Sequence, residues 1–294
     1  MQQGKLLVFV WGALAAVAIA GMYGSVTAYF AGRWFTQSLY YHCLAVPFIV
    51  GWLIWRQVSS LEERPEPWSA GLGLLVAAVA VYLVGMRTGA RFIVGLSFPL
   101  ILLGIAASLL GKRYLAALWL PLVLSAFLIP IPEHILGLIA MPMQQFSTHM
   151  TGLITRMMGF QLVYGGVTLD LHGFKFIVAQ ECSGLNSLMA LLLVGAVLTE
   201  ISGLPTQRKL LVLALIFPIV IAANIVRLVT VIWMAEFIGA KFALGQLVHG
   251  GSDVIVYLCA FMFVWLLISA LAPPGEGEEE EDWEAGLQGG TTGG

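Results

Sequence analysis

Apolar residues run along this chain in long, nearly unbroken stretches. A helix rises about 1.5 Å per residue, so crossing the hydrocarbon core of a bilayer takes roughly 20 apolar residues. Roughly eight stretches approach that length, near residues 6–23, 39–55, 70–86, 92–110, 114–129, 183–201, 210–237 and 253–271. Two regions depart from the pattern. Across 131–159, Ile135, Leu138, Ile139, Phe146, Met150, Leu153, Ile154 and Met157 recur at helical spacing, interrupted by Gln144, Gln145, Ser147, Thr148 and His149. This predicts an amphipathic segment lying at the membrane interface. In VYGGVTLDLHGFKFIVAQ, residues 163–180, Val167, Leu169 and Leu171 alternate with Thr168, Asp170 and His172. The alternation predicts a small β-hairpin turning at His172-Gly173. The expected fold is an all-α polytopic membrane protein of about eight transmembrane helices, with the interfacial segment and the hairpin inserted before the sixth.

Composition agrees with a membrane class. Of 294 residues, 60% are hydrophobic and only 10% charged, against roughly 25% charged in soluble domains. A net charge of -2 and the absence of a long basic block point away from nucleic acid and leave membrane lipids as the general surroundings. Four parts are expected: helices 1–5 over 1–130, the amphipathic segment and hairpin over 131–181, helices 6–8 over 182–272, and an acidic solvated tail over 273–294. The first apolar stretch is read as a retained span. With the N-terminus in the cytoplasm, Lys5, Arg56, Arg64, Lys112, Arg113, Arg208 and Lys209 fall inside; Arg33, Arg87, Arg91, Arg156, Lys175 and Lys241 fall outside. The split is nearly even, and the tight turns at Lys112-Arg113 and 206–209 decide for this orientation.

Three cysteines, Cys43, Cys182 and Cys259, stand far apart without a CxxC or a histidine cluster, so no disulfide framework, metal site or cofactor is indicated. Cys43 and Cys259 lie inside apolar stretches and are expected to pack as small hydrophobes. Cys182, in VAQECSGLNSL, stands at the mouth of a span. Polar groups within spans are costly and usually functional. Asn224 and Arg227 share one helical face at i, i+3, and His249 and Asp253 begin the last span. On the expected topology all of these reach the outer side.

A thiol at a helix N-terminus beside a guanidinium favours the thiolate. A fixed positive donor suits a developing oxyanion, and an imidazole suits proton transfer near neutral pH. Cys182, Arg227 and His249 thus form a candidate nucleophile, oxyanion stabiliser and general acid/base, with Asn224, Ser183 and Asp253 in support. Each also has a structural reading. The cysteine can simply pack, Arg227 can snorkel to the interface, His249 can end a loop, and Glu181 and Ser183 can cap the helix. His134, His149 and His172 compete for the histidine role. A multi-span transporter or a lipid-linked acyltransferase would share the spans and outward polar groups, although the two halves show no internal repeat of the transporter kind.

The blocks ECSGLNSL at 181–188, ANIVRLV at 223–229 and HGGSD at 249–253 resemble the three signature blocks of the exosortase/archaeosortase family. The hairpin sequence resembles the segment preceding its cysteine, and the likeness extends over 165–263. The resemblance implies an intramembrane cysteine transpeptidase of the bacterial inner membrane, with its active site facing the periplasm. Its partners would be exported proteins carrying a C-terminal sorting tail, made of a short motif, a transmembrane helix and a basic cluster. The family's cysteine, arginine and histidine fall on Cys182, Arg227 and His249.

Overall fold

A computed structural model describes residues 2–61, 65–179, 183–243 and 246–272, excepting the side chains of 2–16, 240, 241, 246–253 and 256. The chain divides into two compact units, Met1–Pro142 and Met143–Gly294. In the first, α1 (Gln2–Thr36), a 3-10 segment (Ser38–Leu44), α2 (Val46–Ser59), α3 (Ala70–Thr88), α4 (Arg91–Ile105, prolonged by a π turn, Ala106–Leu110) and α5 (Lys112–Leu124, prolonged by a 3-10 turn, Ser125–Leu128) follow in order. The helix α6 (Glu133–Met157) begins in the first unit and ends in the second. Then come β1 (Leu162–Gly165), β2 (Thr168–Leu171), β3 (Phe174–Ile177), α7 (Leu185–Ile201), α8 (Thr206–Phe237), α9 (Ala240–Ala243) and α10 (Gln246–Leu271).

The expected apolar stretches all fall on helices, but fewer qualify as spans. Among the described residues, Ser38–Ser59, Ala70–Thr88, Arg91–Leu110 and Thr206–Phe237 are long and apolar enough to cross a bilayer. A fifth results if the pair Lys112–Leu128 and Glu133–Met157, bent by 99°, is counted as one. The bend has a local cause: Pro130 and Pro132 remove backbone donors and bar the preceding residues from helical geometry. Of the remaining stretches, α7 has only 17 residues, a rise of about 26 Å.

The first unit is held by close helix approach and by caps on that proline break. In the α3–α4 hairpin, Gly85 lies against the backbone of Val94, Gly104 against Leu75, and Gly71 against Ala107 and Ser108. Small residues at such crossings let backbones meet where lipid offers no hydrophobic drive. At the end of α5, carbonyls left without helical partners accept side-chain hydrogen bonds. Trp34 Nε1 donates to Leu128 O at 3.0 Å, Cys43 Sγ to Phe127 O at 3.0 Å, and Tyr40 Oη to Ile131 O at 2.9 Å. Cys43 is buried as expected, whereas Cys259 is exposed.

In the second unit the hairpin is part of a three-stranded antiparallel meander ordered β1-β2-β3. His172 (φ 52°) and Gly173 (φ 85°) occupy the positive-φ positions of the expected tight turn, the geometry that matches strand twist. Asp170 Oδ1 accepts the Gly173 N–H at 2.9 Å. The sheet buries Leu162, Leu169, Leu171 and Phe176 against Leu228, Val231, Ile232 and Ala235 near the end of α8.

α6 is amphipathic, with its polar stripe buried and much of its apolar face exposed. Gln144, Ser147, Thr148, Thr151 and Thr155 are buried, while Leu138, Phe146, Leu153 and Met157 are exposed. The polar stripe is turned into the protein, as suits a helix whose outer surroundings are apolar.

Candidate functional site

The site is built on the antiparallel pair α7 and α8. At their turn, Lys209 Nζ meets Glu200 Oε2 at 2.5 Å. Further along, Gly195 faces Ile216, and Gly184 faces Val220 and Asn224. A Cβ placed on Gly184 would lie 3.4 Å from Asn224 Cβ. With φ at +87°, glycine is also the residue this backbone admits without strain. The start of α7 is therefore seated on the α8 turn that carries Asn224, and Arg227 follows on the same buried face.

Depth follows from helix rise. Arg227 lies about 27 Å along α8 from Lys209, against a hydrocarbon core of about 30 Å. With Lys209 at one boundary, Arg227 sits just short of the other. The remaining turns of α8, 228–237, extend past that boundary and carry the sheet. Arg227 is 6% exposed and Asn224 is 4% exposed. Two buried polar side chains on one face of a membrane helix are costly unless the protein supplies partners.

α6 supplies one for the amide. Asn224 Nδ2 donates to Ser147 Oγ at 3.2 Å. One turn earlier, Gln144 Nε2 donates to Val178 O at 3.1 Å. Thus α6 grips both α8 at Asn224 and the strand that leads toward Cys182. The helix can approach the sheet because Gly152 lies against the Tyr164 ring, in space a side chain would fill. His149 makes an edge contact with that ring at 5.5 Å.

Ser183 is buried, and its Oγ accepts the Leu185 N–H at 3.2 Å. It satisfies one of the first orphan donors of α7, which is the capping role weighed above. Glu181 and Cys182 lie outside the described residues. His249 and Asp253 belong to the opening turns of α10, and the helix continues through Gly250 and Gly251 without ending there. At the far end of α10, Arg208 Nη1 donates to Leu271 O at 2.7 Å, and Val264 approaches Gly195, which faces Ile216. Counting equal steps from there sets Ser252 opposite Arg227, with His249 about 4.5 Å further along the axis.

Of the other histidines, His172 pairs with Glu236 at 3.1 Å on the surface, and His149 is exposed on α6. His134 belongs to the first unit. The sequence pattern did not single out Gln144 and Ser147 as site residues. Their signal was available: Gln144, Ser147, Thr148, Thr151 and Thr155 recur at i, i+3, i+4, i+7 and i+11, one continuous helical stripe.

Neither the curated proteins nor the solved structures include a match to this chain. A family model does match, that of the transmembrane exosortases (Exosortase_EpsH), over residues 34–266. That match takes in the signature blocks, the sheet, α6 and most of the helices, well over half of the chain. This multi-pass membrane protein therefore belongs to the transmembrane exosortase family.

Proposed function

We propose that the protein is an intramembrane cysteine peptidase or transpeptidase that cuts the C-terminal sorting tail of exported proteins. The observation that supports this most is the seating of Gly184, two residues beyond Cys182, against Asn224, one turn from the buried Arg227. In this reading the Cys182 thiolate attacks the scissile carbonyl carbon, forming a C–S bond. Negative charge gathers on the carbonyl oxygen, where the Arg227 guanidinium donates to it. The C–N bond then breaks, the leaving amine takes a proton from His249, and a thioester remains on Cys182. Water or an acceptor amine attacks the thioester and loses a proton to His249, and the C–S bond breaks to release the Cys182 thiolate, which restores the starting state.

Asn224 orients the helix face that presents Arg227, Ser183 caps α7, and Asp253 lies near the level of Arg227 on α10. The enzyme would sit in the bacterial inner membrane with this site toward the periplasm, the side opposite Lys209 and Arg208.

Co-expression with a tail-bearing exported protein tests the reading. Wild type should shorten the partner, seen as a gel shift and a loss of intact mass, and Cys182→Ala should leave it full length. Equal processing by Cys182→Ala would overturn it, and is also what a transporter would give.

A further inference from the structure

The free edge of the sheet leads into the proposed nucleophile. In an antiparallel ladder, hydrogen-bonded and non-bonded pairs alternate. Val178 N–H donates to Val167 O at 2.8 Å. In the register Leu169↔Phe176 and Leu171↔Phe174, the bonded pairs therefore run through Phe176 and Phe174. The N–H and C=O of Lys175 and Ile177 then point away from β2. No strand lies on that side in the order β1-β2-β3, and no described residue bonds those groups. The strand's side chains are open as well: Ile177 is 71% exposed and Phe174 is 46% exposed.

Unpaired strand edges are liabilities that proteins usually blunt or use. Here the edge carries two donor–acceptor pairs about 6.8 Å apart, the repeat of another strand. A lipid tail has no groups to meet them, and a helical segment has already spent its own. Ile177 precedes Cys182 by five residues, a reach of at most about 18 Å. Gln144 holds the path between them through Val178 O. The geometry points to β3 as the substrate-binding edge: the segment of the exported protein around the cut adds to Lys175 and Ile177 as an extended fourth strand, which delivers its scissile carbonyl to Cys182. Main-chain bonds supply affinity in this mode, and alternate side chains supply selectivity; here those on one face would meet Phe174 and those on the other Ile177. The inference rests on the peptidase reading and adds how that site takes its peptide.

Proline at an outward-facing edge position removes the free donor while sparing the ladder. In a chain carrying Cys43→Ala and Cys259→Ala, Ile177→Pro and Lys175→Pro are compared with Ile177→Ala, which keeps the N–H. Two quantities are read: processing of a co-expressed tail-bearing protein, and the rate at which N-ethylmaleimide alkylates Cys182 in membranes. The proline variants should lose about tenfold or more in processing, as expected when a substrate hydrogen bond is removed, with alkylation unchanged. Ile177→Ala should process nearly as wild type does. Wild-type processing by both proline variants would overturn the inference and leave the peptidase reading standing. If alkylation also falls, the purified parent chain is given synthetic peptides spanning the cut, each N-methylated at one position. Blocking at every second position upholds the added strand, and uniform tolerance overturns it. Absence of cleavage by the parent chain itself would remove both the peptidase reading and this inference.

Discussion

The two units differ most in what they bury. Among the described residues of the first unit, the buried polar side chains are Ser97 and Ser125. Each bonds a backbone carbonyl three residues before it, and Ser97 also meets Tyr23 Oη. The second unit buries Gln144, Ser147, Thr148, Thr151, Thr155, Ser183, Thr199, Asn224 and Arg227. Each such group costs free energy in an apolar surrounding unless bonded, so their concentration in one unit marks where the protein spends stability on something other than packing. The first unit meets its problem with glycines and apolar contacts, as a scaffold does. The second joins α6 to α8 through Asn224 and Ser147 and buries a guanidinium and further hydroxyls as well.

The largest test of that contrast is at Arg227. Arg227→Lys keeps the charge but loses the planar fork, and processing of a co-expressed tail-bearing protein should fall about 100- to 1,000-fold, the usual cost of an oxyanion donor. Ser97→Ala in the first unit should stay close to wild type in the same assay. If the two variants behave alike, the division of labour between the units is wrong.

Next in size is the link from α6 to α8. Ser147→Ala breaks the bond to Asn224 Nδ2 and leaves a buried amide short of a partner. Processing should drop about tenfold, while the melting of the detergent-purified protein moves little, since interhelical hydrogen bonds in membranes average about 0.6 kcal/mol. A large melting shift with unchanged activity per folded molecule would assign Ser147 to stability alone.

The first unit should show the reverse profile. A Cβ on Gly85 would come within 2.6 Å of Val94 N, and backbone cannot yield as a side chain does. Gly85→Leu should destabilise the α3–α4 hairpin by about 1–3 kcal/mol or more, visible as a lower level of membrane-inserted protein. Processing per surviving molecule should be preserved. The smallest effect is expected at His172→Gln, which removes an exposed pair with Glu236 worth at most about 1 kcal/mol. Sheet stability should hardly change, because Leu169, Leu171 and Phe176 carry the packing.

Much of this was legible along the chain, and the losses have physical causes. The apolar stretches all fall on helices because a backbone without water must bond internally. The turn at His172-Gly173 was readable because few residue pairs accept two positive φ angles in succession. β1 was missed because Leu162–Gly165 is only four residues long, although the Gly165-Gly166 pair that follows it is a turn signal. Which face of α6 turns inward was not legible, because periodicity shows that a helix has two faces and leaves open which one meets the protein. In water the apolar face goes in; where the surroundings are apolar, the polar face can.

The sequence by itself determined the membrane class, the helical stretches, the breaks at Pro130 and Pro132, and the short list holding Cys182, Asn224, Arg227 and His249. Those features follow from local chemistry: hydrophobic length, missing backbone donors, and charge where charge is expensive. The tertiary structure decided that Gly184 rests on Asn224, that Ser147 and Gln144 bond Asn224 and the Val178 carbonyl, and that β3 keeps an open edge. These depend on which helix face meets which neighbour. In an apolar solvent a leucine is equally at home inside or out, so only the assembled helices could settle it.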